Sequence, residues 1–419
     1  MRTLSAVDAA TLLVRKVLRC VFRPIFPRAI DRRSPRPASA DGAVTVPRNR
    51  RAVDVSASIV TPVTVLTGFL GSGKTTLLNR LLRHPGFGDT AVLINEFGTI
   101  PIDHLLVREA SENVIVMDSG CICCSVQGDL VRALRDLYFK RANNEIPPFR
   151  RAIIETTGLA DPAPILHTLI EMPVVAARYS LSGVVATVDA QHGMQQLDEH
   201  FESVKQAAVA DRIVITKSDL AHAGQAAALQ DRLQALNPGA RILSAIHGEV
   251  DPALLFDTGL FQTDSKSPDV KKWLNADAYR AVTPPRETSS GVRSRPSRPL
   301  SHHDRRHDQR HDERIQSFAI TFDAPVQWQD LLDALETLMT VRGDHLLRIK
   351  GIVNVAGEDK PRVIHAVQHT LYPYATLAQW PDADRRTRLV FIQRDLDADF
   401  IAGTLKHFLT ASAEAALRP

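Results

Sequence analysis

The sequence predicts an α/β fold, with a mostly parallel sheet covered by helices and a small α+β domain after it. Three observations predict this. Short runs of β-branched and apolar residues alternate with helical periodicity between residues 59 and 262. The first run ends in a glycine-rich turn, Gly68-Phe69-Leu70-Gly71-Ser72-Gly73-Lys74-Thr75. A stretch rich in Ser, Pro, Arg, Asp and His then precedes a second, shorter set of strands and helices.

Each element has its own warrant. Ile59–Leu66 is an apolar run that reads as a strand, and Thr75–Arg83 is the helix after the turn. Thr90–Asn95 and Asn113–Asp118 are short strands. Gly128–Arg141 is a helix with Leu130, Leu134 and Leu137 on one face. Arg151–Glu155, Gly183–Asp189 and Asp211–Thr216 are apolar enough for strands buried on both faces. Beyond the polar stretch, Ile315–Phe322, His345–Val355, Pro361–Gln368 and Arg388–Gln393 read as strands, Trp328–Met339 as a helix and Ala398–Leu409 as a closing helix. The expected organisation is a basic, disordered N-terminal extension over 1–57, a first domain over 58–262, a His-rich linker or insert over 263–314 and a second domain over 315–410.

The chain has 419 residues, 44% hydrophobic and 23% charged, an ordinary composition for a globular protein. Its net charge is +4, yet the first fifty residues hold eleven basic and three acidic side chains, so the remainder is net acidic. That excludes the basic footprint of a nucleic-acid binder. No apolar run reaches the ~18 residues of a membrane span. Leu12, Leu13, Val17, Leu18, Val21 and Phe22 recur at helical spacing among Arg15, Lys16 and Arg19. Such a stretch is open to reading as a transit peptide or a membrane-surface helix. Pro24, Pro27, Pro35, Pro37 and Pro47, and the missing secretory core, favour a disordered extension.

The glycine-rich turn is a full G-x-x-x-x-G-K-T, the phosphate-binding loop of P-loop nucleotide hydrolases. Backbone N–H groups around Gly68, Gly71, Ser72 and Gly73 face the phosphates, Lys74 reaches the β and γ groups, and the Thr75 hydroxyl ligates Mg²⁺, with Thr76 behind it. The following helix adds the positive end of its dipole. Glu155-Thr156-Thr157-Gly158 closes another strand. Glu155 can hold Mg²⁺ through water, and the Gly158 amide can sense the γ-phosphate. Lys74, Thr75, Glu155 and Gly158 are therefore the candidate catalytic set. Thr216-Lys217-Ser218-Asp219 addresses the base. The Asp219 carboxylate can accept from guanine N1–H and its 2-amino group, Lys217 can lie along the purine, and Ser244-Ala245 can meet the guanine oxygen. This favours GTP, with an ATP-dependent kinase as the rival. Glu96, in Asn95-Glu96-Phe97-Gly98, either orients the attacking water, binds metal, or is a solvated loop carboxylate.

Three of the four cysteines fall in Cys121-Ile122-Cys123-Cys124. That spacing suits metal ligation better than a disulfide framework, which implies a reducing compartment and a cytoplasmic location. In an extended segment Cys121 and Cys123 point the same way, and a turn can bring in Cys124. Thiolates favour Zn²⁺ or Cu⁺. A buried apolar trio or a redox sensor are the alternatives, and Cys20 is assigned nothing. His303, His307 and His311 recur every four residues beside Asp304, Asp308 and Asp312. On a helix they would share a face and suit Zn²⁺, Ni²⁺ or Co²⁺, against the alternative of a solvated linker. His365 and His369 read as surface histidines, with a role facing a client as the alternative.

Together G-F-L-G-S-G-K-T-T-L-L-N, I-N-E-F-G, G-C-I-C-C, E-T-T-G-L-A-D-P and T-K-S-D resemble the CobW family of metallochaperone P-loop GTPases, over roughly Ile59–Phe408. Asp384-Arg385-Arg386-Thr387-Arg388-Leu389-Val390-Phe391 and the residues to Asp395 resemble that family's small second domain. The resemblance implies a slow GTPase that delivers a transition metal, most often zinc, to an apo-metalloprotein client. Some branches serve cobalamin synthesis or cobalt-dependent nitrile hydratase maturation. It places Lys74, Thr75 and Glu155 at GTP–Mg²⁺, and Glu96, Cys121, Cys123 and Cys124 at the transition metal. Thr99 stands where relatives commonly carry Glu, which removes one carboxylate. A regulatory protein that senses GTP and metal without transfer is the alternative, and the sequence is compatible with a homodimer.

Overall fold

The computed structural model describes residues 60–87, 89–94, 115–118, 126–256, 274–282 and 314–416. Residues 57–419 form one compact unit. Its first sheet has seven strands, all parallel: β1 (Thr61–Gly68), β2 (Thr90–Ile94), β3 (Ile115–Asp118), β4 (Arg151–Glu155), β5 (Tyr179–Asp189), β6 (Arg212–Thr216) and β7 (Arg241–Ala245). Their spatial order is β3-β2-β4-β1-β5-β6-β7, with β1 in the middle. Parallel neighbours need crossovers. Described helices in these crossovers are α1 (Lys74–Leu82), α2 (Val126–Ala142), α3 (Ala163–Glu171), the single turn α4 (Pro173–Ala176), α5 (Gly193–Glu199), α6 (Phe201–Val209) and α7 (Gln225–Leu236), and α8 (Pro252–Phe256) follows β7.

The two faces of this sheet bury different helices. Leu77, Leu78, Leu81 and Leu82 of α1 cover Leu66, Val92, Ile153 and Val185. On the opposite face Leu130, Leu134 and Leu137 of α2, with Leu166 and Leu169 of α3, cover Val63, Val65, Leu93 and Ile154. Double burial is why these strands read as unbroken apolar runs. β5 begins four residues before the expected Gly183. Its early half pairs Tyr179 with Thr61, and the register shifts between Val63 and Thr64 of β1. That bulge interrupts the apolar pattern and hid the start of the strand.

The second sheet runs β12-β11-β10-β14-β9-β8, with β13 on β11. It comprises β8 (Arg280–Val282), β9 (Ile315–Phe322), β10 (Leu346–Val353), β11 (Arg362–Val367), β12 (Thr370–Leu371), β13 (Ala375–Thr376) and β14 (Thr387–Arg394). Its helices α9 (Trp328–Arg342) and α10 (Ala398–Ala416) pack together. They bury Leu331, Leu335, Leu338, Ile401 and Leu405 against one face of the sheet. All pairs are antiparallel except β8 on β9. The strand β8 lies in the stretch expected to be linker, so that reading fails for residues 274–282: Leu274 and Tyr279 are buried and β8 extends the sheet. Three-residue strands carry too little pattern to stand out.

The other face of the second sheet covers the first domain. Leu347, Ile352, Val363, Val390 and Ile392 pack with Val204, Ala207 and Ala208 of α6 and Leu229 and Leu233 of α7. A register shift between Leu346 and Arg348 lets β10 send Leu346, Ile349 and Val353 toward the helices and Leu347 and Ile352 toward the first domain. Charge is buried in this seam. Arg348 pairs with Asp211 and donates to the Val209 and Ala210 carbonyls at 2.5 and 2.7 Å. Lys350 Nζ lies 3.6 Å from Asp211 Oδ1, and the Val184 amide donates to Oδ2 at 3.0 Å. Burial would raise the Asp211 carboxyl, but Arg348 and then Lys350 hold it well below the carboxylate range. Burial, reinforced by Arg348, pushes Lys350 and His365 well below their ordinary values. His365 is therefore a correction: it is 5% exposed and its ring lies 4.2 Å from Tyr372, whereas its neighbour His369 is at the surface.

Candidate functional site

The carboxyl ends of all seven parallel strands share one edge, and each motif loop starts there. Gly68 ends β1 at φ 142°, where an added Cβ would lie 2.3 Å from Thr187 Oγ1 and 2.5 Å from the Thr187 carbonyl. Only glycine fits so close to a backbone oxygen. The turn closes with a bond from the Ser72 amide to the Phe69 carbonyl (3.1 Å), and Ser72 Oγ meets Thr187 Oγ1 at 2.6 Å. Gly73, at φ 89°, leads into α1. Lys74 is 9% exposed, and its ammonium donates to the Gly68 and Phe69 carbonyls at 3.0 and 3.1 Å. The loop therefore curls round its own lysine, with its helix dipole behind it.

The structure brings Thr75 and Glu155 together across eighty residues of sequence: Thr75 Oγ1 donates to Glu155 Oε1 at 2.8 Å. Glu155 is 4% exposed. Two hard oxygen donors, one ionisable, side by side at a phosphate loop fit Mg²⁺. The loop after Glu155 is pinned to β1 by Thr156, whose amide donates to the Leu66 carbonyl and whose hydroxyl bonds Thr67 Oγ1, both at 2.9 Å. Gly158 then touches the phosphate loop itself, since a Cβ there would sit 2.6 Å from the Leu70 amide nitrogen.

The residues expected to meet the base lie at the ends of β6 and β7, with β5 beside them. Thr216 and Ala245 are in register, as are Asp189 and Thr216. The Thr216 hydroxyl bonds the Ser72 carbonyl at 2.7 Å, so it acts on the phosphate loop. Ser218 Oγ lies 3.0 Å from Ser244 Oγ, Ala245 is buried, and His247 Nε2 is 3.9 Å from the Asp219 carboxylate. Sequence reasoning missed Asp189. Its buried carboxylate accepts from Lys217 Nζ at 2.7 Å and from the Gln191 amide at 2.8 Å. That pair orients Lys217, whose backbone is left-handed at φ 56°. The available signal was an acid ending the strand between the phosphate-loop strand and the T-K-S-D strand.

Residues 62–244 match the family model described as the CobW/HypB/UreG nucleotide-binding domain, and residues 315–409 match the cobalamin synthesis protein cobW C-terminal domain. The zinc chaperone YjiA of Escherichia coli (strain K12) is 34% identical over 330 residues, covering 79% of this chain and 93% of the relative. The chain belongs to the CobW family. A second relative in it, the zinc chaperone CobW of Pseudomonas aeruginosa, is 30% identical over 380 residues, covering 82% of this chain and 90% of its own length. The crystal structure of Zn(II)-bound YjiA GTPase from E. coli superposes with a TM-score of 0.59 at 29% identity, covering 84% of this chain and 99% of that one. Both CobW-family domains and their P-loop fold are thus as the motifs implied.

The CobW-family metal residues expected from sequence, Glu96, Cys121, Cys123 and Cys124, lie outside the described residues, as do Thr99 and His303, His307 and His311. Among the described residues, no group of three or more His, Cys, Asp or Glu is placed to hold a metal. The strands that lead to the first four are described. Ile94, two residues before Glu96, is in register with Asp118 on one side and Glu155 on the other, and Asp118 precedes Cys121 by three. No described helix is long and apolar enough to cross a membrane.

Proposed function

We propose that this CobW-family protein is a GTP-hydrolysing metallochaperone, which binds a transition metal at Cys121, Cys123, Cys124 and Glu96 and delivers it to an apo-metalloprotein. Zinc is the first choice, because thiolates prefer it and the relatives above are named zinc chaperones. One observation carries the coupling: Ile94 lies in register between Glu155 and Asp118. The strand that leads to Glu96 therefore ends beside the carboxylate that meets Thr75, and the strand that leads to the thiolates ends one place further out.

In the reaction Lys74 would exchange its two loop carbonyls for β and γ phosphate oxygens. Thr75 and Glu155 would hold Mg²⁺, which supplies neutralisation of phosphate charge. Gly158 would donate its amide toward the γ-phosphate, and Thr156 would keep that loop anchored to β1. Asp219 would accept from the guanine edge, with Lys217 steered by Asp189. Turnover by this set without an arginine finger is expected to be slow. Linkage requires metal to change GTP affinity by the factor by which GTP changes metal affinity. The test is a Zn²⁺ titration with no nucleotide, GDP and a non-hydrolysable GTP analogue. A shift of roughly fivefold or more between the nucleotide states is expected, and equal affinity in all three refutes the proposal.

A further inference from the structure

Helix α6 stands between the nucleotide loops and the second domain and is tied to both. Just before it, His200 stacks on Phe69 of the phosphate loop, with ring centroids 4.6 Å apart. Its first residue, Phe201, lies under the Arg394 guanidinium of β14 at 3.8 Å. One turn on, Lys205 Nζ bonds Asp161 at 2.6 Å, and the buried Gln206 donates to the Gly158 and Ala160 carbonyls at 3.1 Å each. The same Asp161 carboxylate accepts from Gln368 Nε2 of the second domain at 3.2 Å.

Gln368 occupies the tip of the β11–β12 hairpin at φ 51°, a left-handed conformation that favours glycine. The hairpin is docked on both sides of it. Thr370 Oγ1 lies 3.0 Å from His167 Nδ1 on α3, and Val367 and Tyr372 join the apolar core beneath α3. The two-residue loop between Val367 and Thr370 sets that φ, and it aims the Gln368 side chain at a motif aspartate of the other domain. Gly158, three residues before Asp161, packs on the Leu70 backbone, so a change at the phosphate loop is felt in the 155–161 loop.

We propose that the second domain reads the nucleotide state through Asp161, with Gln368, Lys205 and Gln206 as the positioning residues that join the 155–161 loop to the β11–β12 hairpin. The proposal rests on Gly158 as the γ-phosphate sensor. A γ-phosphate draws Gly158 and the loop after it, the long side chains of Lys205 and Gln206 follow from α6, and the longer Asp161–Gln368 bond, 3.2 Å against 2.6 Å to Lys205, is the one that stretches. By reciprocity, a client that engages the hairpin changes nucleotide affinity.

The test is amide hydrogen exchange on the full chain with GDP and with GTPγS. In the unaltered protein, exchange across residues 362–372 rises roughly fivefold with GTPγS, the low end of typical couplings, and residues 156–161 respond as well. Gln368→Gly removes the carboxamide while relieving the strained φ, so the variant folds. It keeps the 156–161 response and loses the hairpin response. If 156–161 respond and the hairpin is unchanged or slower, this inference fails and the sensor reading survives. If Gln368→Gly keeps the full hairpin response, Asp161–Gln368 is not the route. If 156–161 do not respond at all, both readings fall.

Discussion

Arg348→Met tests whether the buried charge between the two domains holds them together. The side chain is 2% exposed in its ion pair, and it serves the Asp211 carboxylate and two carbonyls, those of Val209 and Ala210. Methionine fills similar volume but leaves all three acceptors without that donor. Breaking a buried pair by removing one partner costs about 3–5 kcal/mol. The Val209 carbonyl, stranded by the change, adds about 1–3 kcal/mol, whereas the Ala210 carbonyl keeps Asn237 Nδ2 at 2.9 Å. Lys350, 3.6 Å from the same carboxylate oxygen, takes over part of the pairing, so the lower sum applies. The expected loss is about 4 kcal/mol (about 3 for the pair and about 1 for the Val209 carbonyl), out of the ~5–15 kcal/mol typical of a folded protein. Urea unfolding followed by tryptophan fluorescence (Trp273, Trp328 and Trp380) measures it. Adding Asp211→Asn removes the stranded charge, so the double variant should be less destabilised than the two single losses added together. A loss under about 1 kcal/mol, or strict additivity, would refute this reasoning.

Three further outcomes are expected. Asp189→Asn takes the counter-charge from Lys217 and should weaken GDP binding about 10- to 100-fold, the worth of a charged hydrogen bond; fluorescent-GDP titration reads it, and an unchanged affinity disconnects the pair from the base site. Gly158→Ala drives a Cβ to 2.6 Å from the Leu70 backbone, so phosphate release should slow by about tenfold or more, ~1.4 kcal/mol, while GDP binding persists; normal turnover would remove Gly158 from the mechanism. Burial, then Arg348, keeps His365 neutral in the folded protein, with Asp211, Lys350 and Tyr372 also facing it. The unfolded chain binds a proton below pH ~6.5 that the fold refuses, so stability is lost as the pH is lowered, by up to ~1.4 kcal/mol per unit. His365→Asn should flatten that slope between pH 6.5 and 5, and identical slopes would contradict a buried neutral histidine.

Much of the site was legible because its signals are local. Gly68–Thr75 encodes a turn whose backbone must approach Thr187, and the chemistry needs glycine there whatever surrounds it. Glu155 and Asp219 stood out because each ends an apolar strand. Asp189 obeys the same rule but lies in no recognised string. His365 was misread because one polar residue in a strand looks the same whether its face meets water or another domain. Residues 274–282 were read as linker because a three-residue strand has no period to detect.

What the sequence alone determined is therefore the phosphate-loop turn, the order of the motif loops along the chain and the kind of sheet they end. Those follow from interactions within a few residues: strand period, glycine geometry and the pairing of residue types with phosphate, base or metal. Tertiary structure decided which loops are neighbours. The order β3-β2-β4-β1-β5-β6-β7 puts Ile94 between Asp118 and Glu155, and the second sheet brings Arg348 to Asp211 and Gln368 to Asp161. Such partners lie far apart in the chain and share no periodic pattern. Only the packing of two sheets through a common helix layer selects them.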